Sequence, residues 1–83
     1  MKQPVTITNP KGQVKELSNV EFYGLLTQFF KTKTFRTWSD RRNIAGEIKI
    51  NGEMKMSPTA VEMFLRESGY KIEKAEVKFK NEK

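Results

Sequence analysis

Residues 47–58, which read EIKINGEMKMSP, decide the fold class of this chain. Asn51 and Gly52 form the strongest short signal for a β-hairpin turn, and alternating residues flank them on both sides. Ser57 followed by Pro58 is typical of a helix start, because serine caps the first turn and proline fits its first position. A hairpin that runs directly into a helix indicates an α+β domain.

The register of this hairpin depends on the length of its loop. A two-residue turn pairs Ile50 with Glu53 and Ile48 with Lys55, which puts the isoleucines and the methionines on opposite faces. A three-residue loop pairs Ile48 with Met54 instead and collects the apolar side chains on one face. It also places opposite charges across from each other. We therefore expect the three-residue register, unless both faces of the hairpin are covered.

The N-terminal part of the chain repeats this order of signals. Residues 9–12, NPKG, are typical of a type I turn followed by a left-handed residue. They predict a hairpin in which Val5 lies opposite Leu17. Ile7 then shares a face with these two residues, so this hairpin has one apolar side.

A helix is expected directly after this first hairpin. Ser18 and Glu21 form a capping box, in which each side chain accepts a hydrogen bond from the backbone of the other residue. We expect the helix to cover residues 19–32 and to have a wide apolar face. The residues of that face are Val20, Phe22, Tyr23, Leu25, Leu26, Phe29 and Phe30.

The middle and the end of the chain carry weaker signals. Residues 33–38 are rich in threonine and aromatic side chains and predict a strand, and residues 39–45 predict one helical turn. The helix that begins at Pro58 ends at Gly69. Its buried stripe consists of Ala60, Val61, Phe64 and Leu65. Residues 71–80 alternate and predict a last strand. One face of that strand consists of Ala75, Val77 and Phe79.

These elements predict a single small α+β domain over residues 1–83. We expect two β-hairpins, each followed by a helix, and a C-terminal strand, arranged as a mostly antiparallel sheet with two helices packed on it. The chain has no cysteine and no histidine, which removes disulfides and every metal or catalytic site built on these residues. A core this small is marginally stable by itself, so a homodimer is a further expectation.

We expect no targeting signal in this chain. No apolar stretch is long enough for a signal peptide or a membrane span, and the longest uninterrupted apolar run is residues 63–65. We expect a soluble cytoplasmic protein that has no membrane partner and needs no cofactor.

Positive charge is concentrated in one segment. The chain carries 16 lysines and arginines and 10 acids, a formal net charge of +6. Residues 31–42 hold five of these cations and one acid, so they supply four of the six excess charges. Phe35 and Trp38, the only tryptophan, lie in the same segment. Arginines suit phosphates and aromatic faces suit bases, so this composition is typical of a nucleic-acid contact surface.

Our leading hypothesis is a small non-catalytic accessory protein that binds DNA or RNA, with Trp38 or Phe35 stacking on an unpaired base. Its contact residues would be Lys31, Lys33, Arg36, Trp38, Arg41 and Arg42. The competing structural interpretation is that both aromatic residues belong to the core and that the arginines pair with helix carboxylates. A second positive patch is interpreted mainly as the solvated face of an edge strand. A further binding surface is the less favoured interpretation. The patch consists of Lys71, Lys74, Lys78 and Lys80.

The alternative function is a protein-binding regulator or stoichiometric inhibitor, of the kind found in phages and plasmids. It would dock on the acidic surface of a larger partner, for which a nucleic-acid-handling machine is one candidate. Catalysis is not expected, and we assign no catalytic or metal-binding residues. Asp40, Glu47 and Lys49 match the spacing of a metal-dependent nuclease. The Glu-x-Lys pattern occurs three times, however, as expected of alternating strands in a chain with 31% charged residues.

Overall fold

The computed structural model describes residues 3–75 of the chain. Within this range the chain forms five strands and three helices, and the strands lie in two antiparallel sheets. The elements are β1 (Val5–Thr8), β2 (Val14–Leu17), α1 (Asn19–Phe30), α2 (Lys33–Arg41), β3 (Glu47–Ile50), β4 (Glu53–Met56), α3 (Pro58–Glu67) and β5 (Lys71–Lys74). The predicted α+β class is confirmed, although a third helix replaces the strand expected in the middle. No helix in this range is long and apolar enough to cross a membrane.

The first hairpin has the predicted turn and register. Asn9 Oδ1 accepts a hydrogen bond from the backbone N–H of Gln13 at 2.9 Å, and Gly12 has a φ of 88°. Glycine adopts this left-handed conformation without the steric cost that a side chain would add. Val5 pairs with Leu17, so the turn chemistry read from the sequence also sets the pairing of the strands.

The core lies against one face of the three-stranded sheet β2-β1-β5. β1 is the central strand, and its Val5 and Ile7 are buried. Ile7 lies opposite Ile72 of β5, which is buried as well. The remaining buried apolar side chains come from the three helices and are Phe22, Leu26, Phe35, Ala60, Val61, Phe64 and Leu65.

The caps predicted for α1 and α3 are confirmed. The Ser18 hydroxyl accepts a hydrogen bond from the backbone N–H of Glu21, and the Glu21 carboxylate accepts one from the backbone N–H of Ser18. α3 begins at Pro58 after the N-cap Ser57, and its predicted apolar stripe is buried. Gly69 follows the helix with a φ of 101°, the left-handed conformation that ends many helices.

The apolar face of α1 is narrower than the sequence predicts. Phe22 and Leu26 are buried, whereas Val20 is 83% and Tyr23 is 49% exposed. Phe22 and Leu26 lie one turn apart, the spacing that places two side chains on the same side of a helix. The expectation that Val20 and Tyr23 belong to the same face is wrong, because only one side of α1 meets the rest of the molecule.

Residues 33–38 form a helix and not the predicted strand. Thr32, expected in the last turn of α1, is the N-cap of α2, and its hydroxyl accepts a hydrogen bond from the backbone N–H of Phe35 at 3.1 Å. Phe35 and Ser39 are buried one turn apart. Burial of this helical stripe outweighs the strand preference of threonine and aromatic residues, which depends strongly on context. α2 also continues past this segment, so the separate turn predicted over residues 39–45 is wrong.

The second hairpin has the two-residue register. Ile50 pairs with Glu53, and Asn51 and Gly52 have φ values of 51° and 82°, as a type I′ turn requires. The three-residue loop that we expected is therefore wrong. Every side chain of β3 and β4 is exposed except that of Met56, which is half-buried. Because these strands are almost uncovered, placing all apolar side chains on one face would bury little surface and stabilise the hairpin little. The geometry of the turn therefore decides the register.

The last described strand confirms only part of the prediction for residues 71–80. β5 covers Lys71–Lys74 and lies at one edge of the three-stranded sheet. Ile72 is its buried residue, whereas Ala75 is exposed. The buried face of β5 is therefore the face of Ile72, whereas the sequence predicted the face that contains Ala75. Val77, Phe79 and the rest of the predicted strand lie outside the described residues.

Candidate nucleic-acid interface

α2 carries most of the predicted contact residues and is held against α3 by aromatic packing. The Phe35 ring lies 5.4 Å from the Phe64 ring, and the Trp38 ring lies 5.5 Å from it, measured between centroids. These contacts fix the inner face of α2. The cations of the segment are therefore distributed around its outer face with the period of a helix and not with the alternation of a strand.

Three predicted cations line one groove beside α2. Lys33, Arg41 and Arg42 border a depression of about 510 Å³, which we call the α2 groove. Its lining includes no acid among the residues that the structure describes. Glu67 lies next to this lining and contacts both Arg42 and Trp38. The other lining residues are the aromatic Trp38 and Phe64 and the hydroxyl-bearing Thr34, Thr37 and Ser68.

The three cations differ in how far they are neutralised. Arg42 Nη2 lies 2.7 Å from Glu67 Oε1, and both side chains are roughly half exposed. Lys33 and Arg41 take part in no ion pair within residues 3–75. The competing interpretation, in which the arginines pair with helix carboxylates, therefore describes Arg42. Lys33 and Arg41 are the cations best placed to meet an external anion.

Trp38 is held on several sides. Its Nε1–H donates a hydrogen bond to Glu67 Oε1 at 3.1 Å, and Phe35 stacks against its ring at a centroid distance of 5.8 Å. The Arg42 guanidinium lies over the same ring at 5.4 Å. A base can stack on Trp38 only after displacing Arg42. Phe35 is 2% exposed, so it is a core residue and cannot reach a base.

Arg36 and Lys31 lie apart from the α2 groove. Arg36 lines a separate depression of about 380 Å³ together with Asp40 and Glu47, so acids share its surroundings. Lys31 is the exposed C-cap of α1 and is not among the residues of the α2 groove. Asp40 and Glu47 also belong to the nuclease-like pattern. Among residues 3–75, however, no group of three or more acidic, histidine or cysteine side chains is placed to hold a metal ion.

Only half of the second positive patch lies within the described residues. Lys71 and Lys74 are exposed on β5, while Lys78 and Lys80 lie outside the described residues. Lys74 Nζ lies 2.7 Å from an Oε2 carboxylate oxygen of Glu62, which is only 8% exposed. Lys74 thus neutralises a buried carboxylate of α3, a role that the alternation of the sequence does not reveal.

Sequence reasoning missed the contribution of α3 to the groove. Phe64 and Ser68 line it, and Glu67 holds two of its other residues through an ion pair and a hydrogen bond. The sequence did carry a signal for the helical form of α2, the element that faces α3. Helical spacing, with steps of three, one and three residues, places four side chains on one face of α2. These are Phe35, Trp38, Ser39 and Arg42.

A larger groove, lined by both apolar and polar side chains, lies between β2 and α1. It has a volume of about 640 Å³ and is lined by Val14, Leu25 and Phe29, among others. Gly24 lines it too, and a Cβ at that position would meet no atom within 4 Å. We call this depression the β2–α1 groove. Its apolar side chains suit a protein surface better than a polyanion.

The chain has no significant match among protein-family models, curated proteins or solved structures. Its function must therefore be inferred from the two grooves and from the charges that line them.

Proposed function

We propose that this protein binds nucleic acid through the α2 groove, with most contacts made to the phosphate backbone. The observation that carries this proposal is the placement of Lys33, Arg41 and Arg42 around one groove whose described lining has no acid. Threonine hydroxyls in the same lining add donors for phosphate oxygens. Phosphate contacts position a protein on nucleic acid and supply much of its affinity, but they carry little sequence information.

The length of the cationic row supports contacts to several phosphates. Lys33, Thr37 and Arg41 are spaced four residues apart on α2, so they span roughly 12 Å along the helix axis. Measured along the duplex axis, each strand of B-form DNA carries one charge every 3.4 Å or so, about the rise per base pair. A row of these side chains that lies parallel to the duplex axis therefore extends past about three to four phosphates of one strand.

Base stacking contributes less than phosphate contact in this binding mode. Trp38 is the half-buried aromatic residue of the groove, but Phe35 stacks against its ring and Arg42 lies over it. We therefore expect little sequence preference. Single strands gain over duplexes only if Arg42 leaves the ring to contact a phosphate.

The salt dependence of binding tests the proposal. Filter binding of short DNA and RNA strands to the full chain should give a slope of log affinity against log salt of about −2 to −2.7 for three phosphate contacts. Arg41→Ala should make this slope shallower by about 0.7 to 0.9 and weaken binding to every sequence alike. Lys15→Ala is the matched control, because it removes one exposed positive charge from β2, outside the α2 groove. Binding that ignores salt, or an equal loss in both variants, contradicts the proposal.

Glu67 offers a test with the opposite sign. Glu67→Gln removes the charge that holds Arg42 but keeps an oxygen that accepts the hydrogen bond from Trp38 Nε1. Affinity for nucleic acid should rise several-fold, because Arg42 no longer has to leave the Glu67 carboxylate before it contacts a phosphate. The gain should shrink at high salt, where charge interactions are screened. Unchanged affinity at low salt contradicts a role for Arg42.

The second candidate function is a protein-binding regulator that uses the β2–α1 groove. The observation that favours it is the exposed apolar surface there, where Val14 is largely uncovered. Val14→Glu places a charge in this groove and should abolish binding to a protein partner, whereas Arg41→Ala should leave that binding unchanged. If the protein binds no nucleic acid at low salt, and only Val14→Glu abolishes binding to a protein partner, the second proposal replaces the first.

A further inference from the structure

β3 has an outer edge that no described strand occupies. β3 and β4 form a two-stranded sheet, and all four residues of β3 are exposed. Ile50 and Glu53 close a two-residue turn, so backbone groups along β3 alternate between the partner strand and the outside. The N–H and C=O groups of Ile48 and Ile50 face β4. Those of Glu47 and Lys49 face outward, and such an edge can accept another strand.

We propose that two copies of this chain pair through β3, antiparallel and centred on Ile48. In this register Glu47 of one copy lies opposite Lys49 of the other, and Ile48 lies opposite the same residue of the second copy. Glu47 and Lys49 then form the hydrogen-bonded pairs with their outward-facing backbone groups, and Ile48 occupies the non-hydrogen-bonded position between them. Hydrogen bonding, charge and hydrophobicity all favour the same alignment.

Pairing in this way also covers apolar surface. Ile48 and Ile50 are 43% and 42% exposed in the single chain, and they lie on the same face of β3. The two Ile48 side chains meet at the position where cross-strand side chains come closest. Each Ile50 lies diagonal to Ile48 of the second copy, still within reach of contact. The resulting four-stranded sheet supports a hairpin that is only marginally stable as two strands.

The outer edge of β4 fits a second copy less well. Glu53 and Lys55 on β4 already lie within 3.6 Å of each other, whereas neither Glu47 nor Lys49 takes part in an ion pair within residues 3–75. Met56, at the end of β4, packs against the core. β3 therefore offers both an edge that is exposed along its length and two opposite charges that lack described partners.

Charge exchange in the full chain tests this register. Sedimentation velocity without nucleic acid, from micromolar to millimolar protein, should show a monomer–dimer equilibrium. E47K and K49E each place like charges opposite one another and should weaken dimerisation by roughly tenfold or more. An equimolar mixture of the two variants restores opposite charges in every pair, and so does the double variant E47K/K49E. Both should therefore recover the dimer.

A matched control and a second measurement separate this pairing from other arrangements. E53K makes the same charge reversal on β4 and should leave the equilibrium unchanged, while circular dichroism verifies that each variant is folded. Hydrogen exchange at the Glu47 and Lys49 amides should slow as the protein concentration rises. The proposal is overturned if the protein is still a monomer at millimolar concentration. It is also overturned if neither E47K nor K49E changes the dimerisation equilibrium. Protection of these amides in protein that sediments as a monomer also overturns it, because the same chain then covers the edge.

Discussion

The two hairpins of this protein have similar sequence signals and different environments. Each has a glycine in its turn and each runs into a helix capped by serine. β1 lies between two strands and buries Val5 and Ile7, whereas β3 has one described neighbour and buries no side chain. In the first hairpin the turn and the hydrophobic pattern favour the same register. In the second they disagree and the turn prevails, because segregation of side chains stabilises a register only where one face is covered.

The largest expected effect comes from truncating the same residue type in each hairpin. Ile7→Ala should lower the free energy of unfolding by about 2 to 4 kcal/mol, because it leaves a cavity in the core. Ile48→Ala removes an exposed side chain and should cost less than about 1 kcal/mol. Urea denaturation followed by circular dichroism measures both values. Equal losses would show that the second hairpin is as well packed as the first.

The two turns provide a smaller and sharper contrast. Gly12 and Gly52 both have positive φ, so alanine at either position adds strain of about 1 to 2 kcal/mol. The first turn aligns a strand of the core, and Gly12→Ala should therefore lower global stability by about this amount. Gly52→Ala should mainly loosen the second hairpin, which hydrogen exchange of β3 and β4 amides would detect. A large fall in the global unfolding midpoint for Gly52→Ala would contradict this separation.

The smallest effect concerns the edge of the first sheet. Lys74→Met leaves the buried Glu62 carboxylate with Arg66 as its described ion-pair partner, at 3.8 Å. Because the Lys74 side chain is about half exposed, the loss should be only about 1 kcal/mol. Lys71→Met, on the same strand, should change stability by less than about 0.5 kcal/mol. Thermal unfolding of the two variants at low salt makes this comparison, and indistinguishable midpoints would mean that Glu62 is satisfied without Lys74.

The features predicted correctly are those encoded within a few residues. The Asn9 turn, the Ser18 cap and the Ser57 cap each depend on hydrogen bonds between near neighbours in sequence. The segment after α1 was predicted wrongly, because threonine and aromatic residues favour strands until a helical stripe finds a surface to pack against. That packing depends on Phe64 in α3, which is distant in the sequence.

The wrong secondary structure for this segment also led to a wrong grouping of the candidate site residues. In a strand, Arg36 and Trp38 would share one face, because side chains alternate with a period of two. In the helix, Arg36 instead lies with Asp40 and Glu47, while Trp38 joins Arg41 and Arg42. The contact between Trp38 and Glu67, which lies outside the groove lining, could not be predicted at all, since the two residues are 29 positions apart in the sequence.

The position of Trp38 gives this protein an internal optical reporter. It is the only tryptophan in the chain, and the acid that accepts its indole hydrogen bond also holds Arg42. In the proposed binding mode Arg42 moves from the ring to a phosphate, which should change the surroundings of the indole and therefore its fluorescence. The proposed occupancy of the α2 groove by nucleic acid can therefore be tested in unlabelled protein, from the emission of a single side chain.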